Sequence, residues 1–135
     1  VIQWDILPTL CELTGQPVPP KVEGKSLLPL LMGRSMEFSR ESIYWHFPYY
    51  HPPKSYEGTK PCSAIQKGDD KLIYFYEDER VELYNLKNDP GEEIDLANEK
   101  PELAAQMKKI LMESLNGADA RFPVSNPDFV DDINE

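Results

Sequence analysis

Residues 62–86 hold three apolar stretches, 62–67, 71–76 and 81–86, separated only by the turns 68–70 and 77–80. A parallel crossover needs about a dozen residues or more, so connections this short force an antiparallel meander. The middle stretch is apolar on both sides. Leu72, Tyr74 and Tyr76 point one way along a strand, and Ile73 and Phe75 point the other. A sheet built on such a strand needs cover on both faces. Residues 41–47 (ESIYWHF) are rich in aromatics and predict a further strand, which makes four.

The cover for one face is legible downstream. Residues 100–116 carry Pro101 at a first helical position, an apolar stripe of Leu103, Met107, Ile110 and Leu111, and Gly117 as a stop. No second long helical pattern exists for the other face. Two short ones precede the strands. Residues 5–14 start at Asp5 as a cap, tolerate Pro8 in the first turn, present Ile6, Leu10 and Leu13 on one face, and stop at Gly15. After the proline-rich connection 16–24, Ser26 is placed to cap a helix over 27–32, with Pro29 in its first turn and Gly33 at its end. Either these short helices cover the second face or a domain outside this chain does. Residues 118–135 are expected to be extended, acidic at the end and frayed. The fold class is therefore α+β: a four-stranded antiparallel sheet with a long C-terminal helix packed on one face, preceded by two short helices.

At 135 residues the chain suffices for one domain or subdomain with a modest core. Its 24 acidic and 14 basic residues leave a net charge of -10, which repels phosphate backbones and excludes nucleic acid as a natural partner. No stretch approaches ~18 apolar residues, so no helical membrane span is expected. The chain opens on Val1 with no initiator Met and no signal segment, and its true N-terminus is expected to lie upstream. Of the two cysteines, Cys11 falls in a helical pattern and looks buried, which favours two separate thiols over a pair with Cys62, although the sequence leaves the disulfide open.

Residues that could carry chemistry are few. Neither cysteine has a base nearby in sequence. His46 and His51 supply two ligands where zinc needs three or four, and Pro48 keeps them off one helix face. The acidic groups Asp69-Asp70, Glu77-Asp78-Glu79 and Glu92-Glu93 sit where turns are predicted and lack calcium-loop spacing. Asn88-Asp89-Pro90-Gly91 is a turn signal. The strongest site candidate is the loop HFPYYHPPK, residues 46–54, in which His46, Tyr49, Tyr50, His51 and Lys54 offer rings to stack on a sugar or aryl group and cations for an anion. An aromatic corner filling the core beside Trp45 explains the same composition equally well.

Four segments carry a family resemblance. Asp5-Ile6-Leu7-Pro8-Thr9-Leu10 with Leu13-Thr14-Gly15 resembles the helix that closes the large α/β domain of sulfatases. Glu23-Gly24-Lys25-Ser26-Leu27-Leu28-Pro29-Leu30-Leu31, then Gly33, is similar to the segment that comes next in them. Residues 65–74 (IQKGDDKLIY) and 82–95 (ELYNLKNDPGEEID) resemble the sheet of their C-terminal subdomain. The resemblance implies residues 1–40 as the end of the large domain and its connection, 41–117 as the C-terminal subdomain, and 118–135 as a tail. It implies a hydrolase of sulfate esters that uses a formylglycine made in a Cys-x-Pro-x-Arg type sequence, with calcium or magnesium polarising the sulfate.

That machinery does not carry over to these residues. Cys62-Ser63-Ala64-Ile65-Gln66 puts Gln where Arg is required and lies too far downstream, and Cys11 before Glu12-Leu13-Thr14-Gly15 matches less well. No catalytic residue and no metal ligand is therefore expected here, nor any cofactor in this fragment, and the isolated chain is expected to be inactive. The implied partners are an N-terminal catalytic domain of the same chain and a sulfated small molecule or glycan, with self-association through an uncovered sheet face left open. A periplasmic or secreted location goes with the family and is not shown by the residues. Two other readings remain: a related phosphate ester hydrolase of the same superfamily, or a non-catalytic glycan-binding or interaction module.

Overall fold

The computed structural model describes residues 1–34, 40–49 and 60–124. It divides into two units, Val1–Arg40 and Glu41–Glu135.

In the first unit a single 3-10 turn, Gln3–Asp5, runs into helix α1, Ile6–Leu13, and a one-turn helix α2, Leu28–Leu31, comes after it. Asp5 stands at the N-cap of α1, but its side chain does not cap that helix. The carboxylate is fully buried and ties distant pieces together instead: it accepts from the Ile2 amide at 3.0 Å and the Lys25 amide at 2.9 Å, and pairs with the Arg40 guanidinium. Burial alone would push its pKa up, yet these two amides and the Arg40 charge prevail and hold it below the usual carboxylate range. Thr9 continues the stitching, donating to the Asp5 carbonyl while its hydroxyl oxygen accepts from the Leu27 amide at 2.9 Å. Gly24 lies so close that a Cβ there would sit 1.9 Å from the Trp4 carbonyl oxygen. Ser26 accepts from the Leu28 amide at 3.1 Å, one position outside the N-cap Leu27. The expected apolar face of α1 is not buried: Ile6, Leu10 and Leu13 are more than half exposed, and the buried positions are Pro8 and Cys11.

The second unit holds strands β1 Ile43–Phe47, β2 Cys62–Lys67, β3 Asp70–Phe75 and β4 Val81–Asn85, then helix α3 Pro101–Gly117. The strands lie in sequence order and every pair is antiparallel. Gly68, with φ +62°, opens the tight β2–β3 turn. Tyr44, Ile65, Leu72 and Leu83 stand opposite one another across the four strands. This row faces α3, where Ile65, Leu72, Tyr74 and Leu83 pack against Ala104, Met107, Leu111 and Leu115 to form the core. Burying each large apolar side chain contributes about 1.5–3 kcal/mol before ordering costs. The helical stripe is rotated slightly from its expected line: Leu103 and Ile110 are only partly buried, and Ala104 and Leu115 take the core positions.

Alternation sends Trp45, Ile73 and Phe75 to the opposite face, where none of the described helices of this unit lies. Trp45 is 48% exposed there. Polar side chains give the face partial cover. The Arg80 guanidinium lies 4.0 Å over the Phe75 ring, and Lys71 reaches both Glu92 carboxylate oxygens at 2.7 Å. The outer edge of β4 is closed by the chain immediately downstream. The Leu83 amide donates to the Asp95 carboxylate at 2.9 Å, and the Leu96 amide donates to the Leu83 carbonyl at 2.7 Å. The Asn-Asp-Pro-Gly turn is structural, with Asp89 accepting from the Glu93 and Ile94 amides, both at 2.9 Å. Among the described residues no helix is long and apolar enough to cross a membrane.

Candidate functional site

His46 is the penultimate residue of β1, in phase with Tyr44, so it points toward the α3 side of the sheet. Its cross-strand partner is Ser63. The His46 Nδ1 lies 2.7 Å from Ser63 Oγ, and Ser63 Oγ lies 2.7 Å from the Tyr76 hydroxyl. On the other side of the ring, Nε2 lies 2.9 Å from the Arg121 carbonyl oxygen. A carbonyl only accepts, so Nε2 carries the proton and donates it. In the neutral ring Nδ1 is then the acceptor, which makes Ser63 the donor to it and Tyr76 the donor to Ser63. Burial pushes the Tyr76 hydroxyl pKa up, against the opposing pull of the Ser63 bond, so Tyr76 stays a donor. The rings of Tyr76 and Phe122 meet the imidazole edge-on, at 6.0 and 5.7 Å between centroids.

A serine hydrogen-bonded to a histidine invites a nucleophilic reading. Ser63 is 1% exposed, however, and no substrate can reach its hydroxyl. The network therefore holds structure: it ties β1, β2, the end of β3 and the segment after α3 at one point.

Of the five candidate residues, His46 and Tyr49 are described, while Tyr50, His51 and Lys54 lie outside the described residues. The structure separates the first two. Tyr49 is 64% exposed and sets its ring at right angles to Phe47, centroids 6.5 Å apart, and Phe47 belongs to the sheet face opposite His46. Sequence reasoning missed Ser63, Tyr76, Arg121 and Phe122. One signal was available: Ser63 keeps phase with Ile65, and a polar side chain in phase with a core residue must find a buried partner.

Cys62 sits mid-sheet between Phe47 and Phe75, and burial raises its pKa with help from the Glu82 charge, so it stays a protonated thiol. Both cysteines are free. Among the described residues no three His, Cys, Asp or Glu side chains gather to hold a metal, so these residues do not fit a calcium or magnesium site.

A meander closed on one face by a C-terminal helix, preceded by a stitched helical unit, is the architecture of a sulfatase C-terminal region, and comparison with known proteins makes that specific. The family model described as N-sulphoglucosamine sulphohydrolase, C-terminal, matches residues 1–118, and the chain belongs to that family. A sulfatase of Formosa agariphila is 40% identical over 107 residues, covering 72% of this chain and 19% of that protein. An N-acetylglucosamine-6-O-sulfatase of Bacteroides thetaiotaomicron is 33% identical over 127 residues, covering 92% of this chain and 22% of that protein. The crystal structure of a putative sulfatase from the same species superposes with a TM-score of 0.70 at 29% identity, over 91% of this chain and 27% of that one. The chain thus spans about a fifth of the length of the curated relatives it matches.

Proposed function

We propose that this chain is the C-terminal part of a sulfuric ester hydrolase, that it completes the fold of that enzyme, and that it lends a loop to substrate recognition. The observation that carries the reading is the family match over residues 1–118 within relatives about five times as long. Two apolar surfaces support it. Ile6, Leu10 and Leu13 of α1 are more than half exposed and Trp45 is 48% exposed on its sheet face, and each of these surfaces suits cover by a larger N-terminal catalytic portion. That portion would carry the formylglycine and the calcium or magnesium ion, which together would supply the sulfur-directed nucleophile and the polarisation of the sulfate.

The substrate is a sulfated sugar on this reading, in keeping with the N-acetylglucosamine-6-O-sulfatase among its relatives. Residues 46–54 are the contact: Tyr49, Tyr50, His51 and Lys54 would meet the sugar and its sulfate. Both ring nitrogens of His46 are engaged by protein groups, so its part is to hold the strand end from which the loop departs. Hydrolysis of 4-nitrophenyl sulfate tests the whole. The chain alone should release no sulfate, and the protein carrying its upstream portion should do so. Turnover by the chain alone, or none by the longer protein, would overturn the reading.

A further inference from the structure

The first unit holds a groove of about 350 Å³ between the start of α1 and the loop that precedes α2. Gln3, Trp4 and Leu7 form one wall, and Lys21, Glu23 and Gly24 form the other. Both walls hang on the same buried carboxylate. Asp5 accepts from the Ile2 amide just before the first wall and from the Lys25 amide just after the second. The backbone of Gly24 lies against the Trp4 carbonyl too closely for any side chain, which holds the two walls together. The groove is therefore shaped before anything enters it, and a preformed site avoids the ordering cost of binding.

Its lining mixes apolar and polar groups. The Trp4 indole is 40% exposed and Leu7 47%. Beside them stand an amide, an ammonium and a carboxylate, and among the described residues nothing pairs with the side chains of Gln3, Lys21 or Glu23. By contrast Asp5, Thr9 and Ser26, a few residues away, are all engaged by backbone amides. Lys21 also holds φ +71°, a left-handed conformation that glycine adopts without strain and lysine does not. Backbone strain of this kind gathers where side chains meet ligands.

We propose that this groove binds one pyranose unit of a saccharide chain. A pyranose presents an apolar face of C–H groups and a rim of hydroxyls. The indole and Leu7 suit the face. The other three side chains suit the rim: the ammonium donates, the carboxylate accepts, and the amide does both. The opposite charges of Lys21 and Glu23 offset one another, so the site takes the neutral ring and not a sulfate. Its volume is near the lower end of the roughly 300–1,000 Å³ of small-molecule sites, which fits a single ring. The choice of a saccharide rests on the sulfated-sugar reading above, but the groove takes nothing from residues 46–54.

The experiment uses the whole protein with its upstream portion and chitotetraose, an unsulfated saccharide that carries no group to hydrolyse as a sulfate ester. Binding is measured by isothermal titration, with Tm and hydrolysis of 4-nitrophenyl sulfate alongside. Trp4→Ala should raise Kd about tenfold, and Trp4→Phe, which keeps a ring, about threefold or less. Lys21→Gly, which removes the ammonium and relieves the backbone, should raise Kd about threefold with Tm unchanged. None of the three should alter kcat/KM on the aryl sulfate by more than about twofold. No binding of chitotetraose, or a Kd unmoved by Trp4→Ala or by Lys21→Gly, overturns the proposal. A weakened Kd in Trp4→Ala that comes with a lowered Tm and a parallel fall on the aryl sulfate also overturns it, by making Trp4 structural. The two readings fail separately. Turnover of the aryl sulfate with binding indifferent to Trp4 removes the groove alone. Binding that depends on Trp4 without any turnover removes the hydrolase and leaves the groove.

Discussion

The two faces of the sheet are built from the same strands and solve opposite problems. On the α3 side, Ile65, Leu72 and Leu83 are fully buried under Met107, Leu111 and Leu115. On the other side, one residue along each strand, Ile73 and Phe75 are half-buried and Trp45 stands 48% exposed, with Arg80 over the Phe75 ring and the Lys71–Glu92 pair beside them. The difference teaches that one face is covered by this unit's own helix, while the other carries none of the described helices of this unit.

The sharpest way to break that comparison is to truncate adjacent residues on β3. Leu72→Ala should cost about 3 kcal/mol, and Ile73→Ala in the chain alone under about 1 kcal/mol, by urea unfolding. Equal costs in the chain alone would erase the distinction. In the whole protein Ile73→Ala should rise toward the Leu72→Ala value as its face becomes buried.

Tyr84 probes the same face by pH. Burial, then the hydrogen bond to Glu82 and that group's charge, push its pKa up to about 12. A raised pKa means the fold favours the protonated phenol. Its contribution is complete below the ordinary tyrosine pKa near ~10 and is lost as pH climbs from about 10 to about 12, on the order of 2 kcal/mol. Tyr84→Phe should flatten that alkaline loss in denaturant melts; an identical pH slope in the variant would place the sensitivity elsewhere.

Trp45→Lys should raise the concentration at which the chain alone self-associates by about tenfold, an effect of roughly 1.4 kcal/mol readable by sedimentation. A chain monomeric at all concentrations would show that the face needs no partner. The smallest effect belongs to the Lys71–Glu92 pair. Lys71→Met should cost under about 1 kcal/mol and the cost should shrink in high salt.

The sheet was legible because its signals are local. Strands expected at 62–67, 71–76 and 81–86 form at 62–67, 70–75 and 81–85, and the helix expected at 100–116 forms at 101–117. Turn chemistry and apolar phase fix such elements without knowledge of the rest of the molecule. The side-chain pattern of 5–14 predicts the helix but not its surroundings: Ile6, Leu10 and Leu13 line up as a stripe, and all three stand more than half exposed. Asp5 is the same lesson in polar form, since a capping position was readable and a bond to an amide 20 residues away was not. The candidate site was legible as a composition and illegible as an arrangement. His46 and Tyr49 sit together in sequence, yet strand alternation and a carbonyl 75 residues downstream assign His46 to the inside.

The closure of β4 has a consequence for how this sheet can meet other chains. With Asp95 and Leu96 occupying the amide and carbonyl of Leu83, that border of the meander is blocked at its central residue. An incoming extended segment, whether a recognition peptide or a misfolded copy, would find both backbone groups of Leu83 already engaged and could not extend the sheet there.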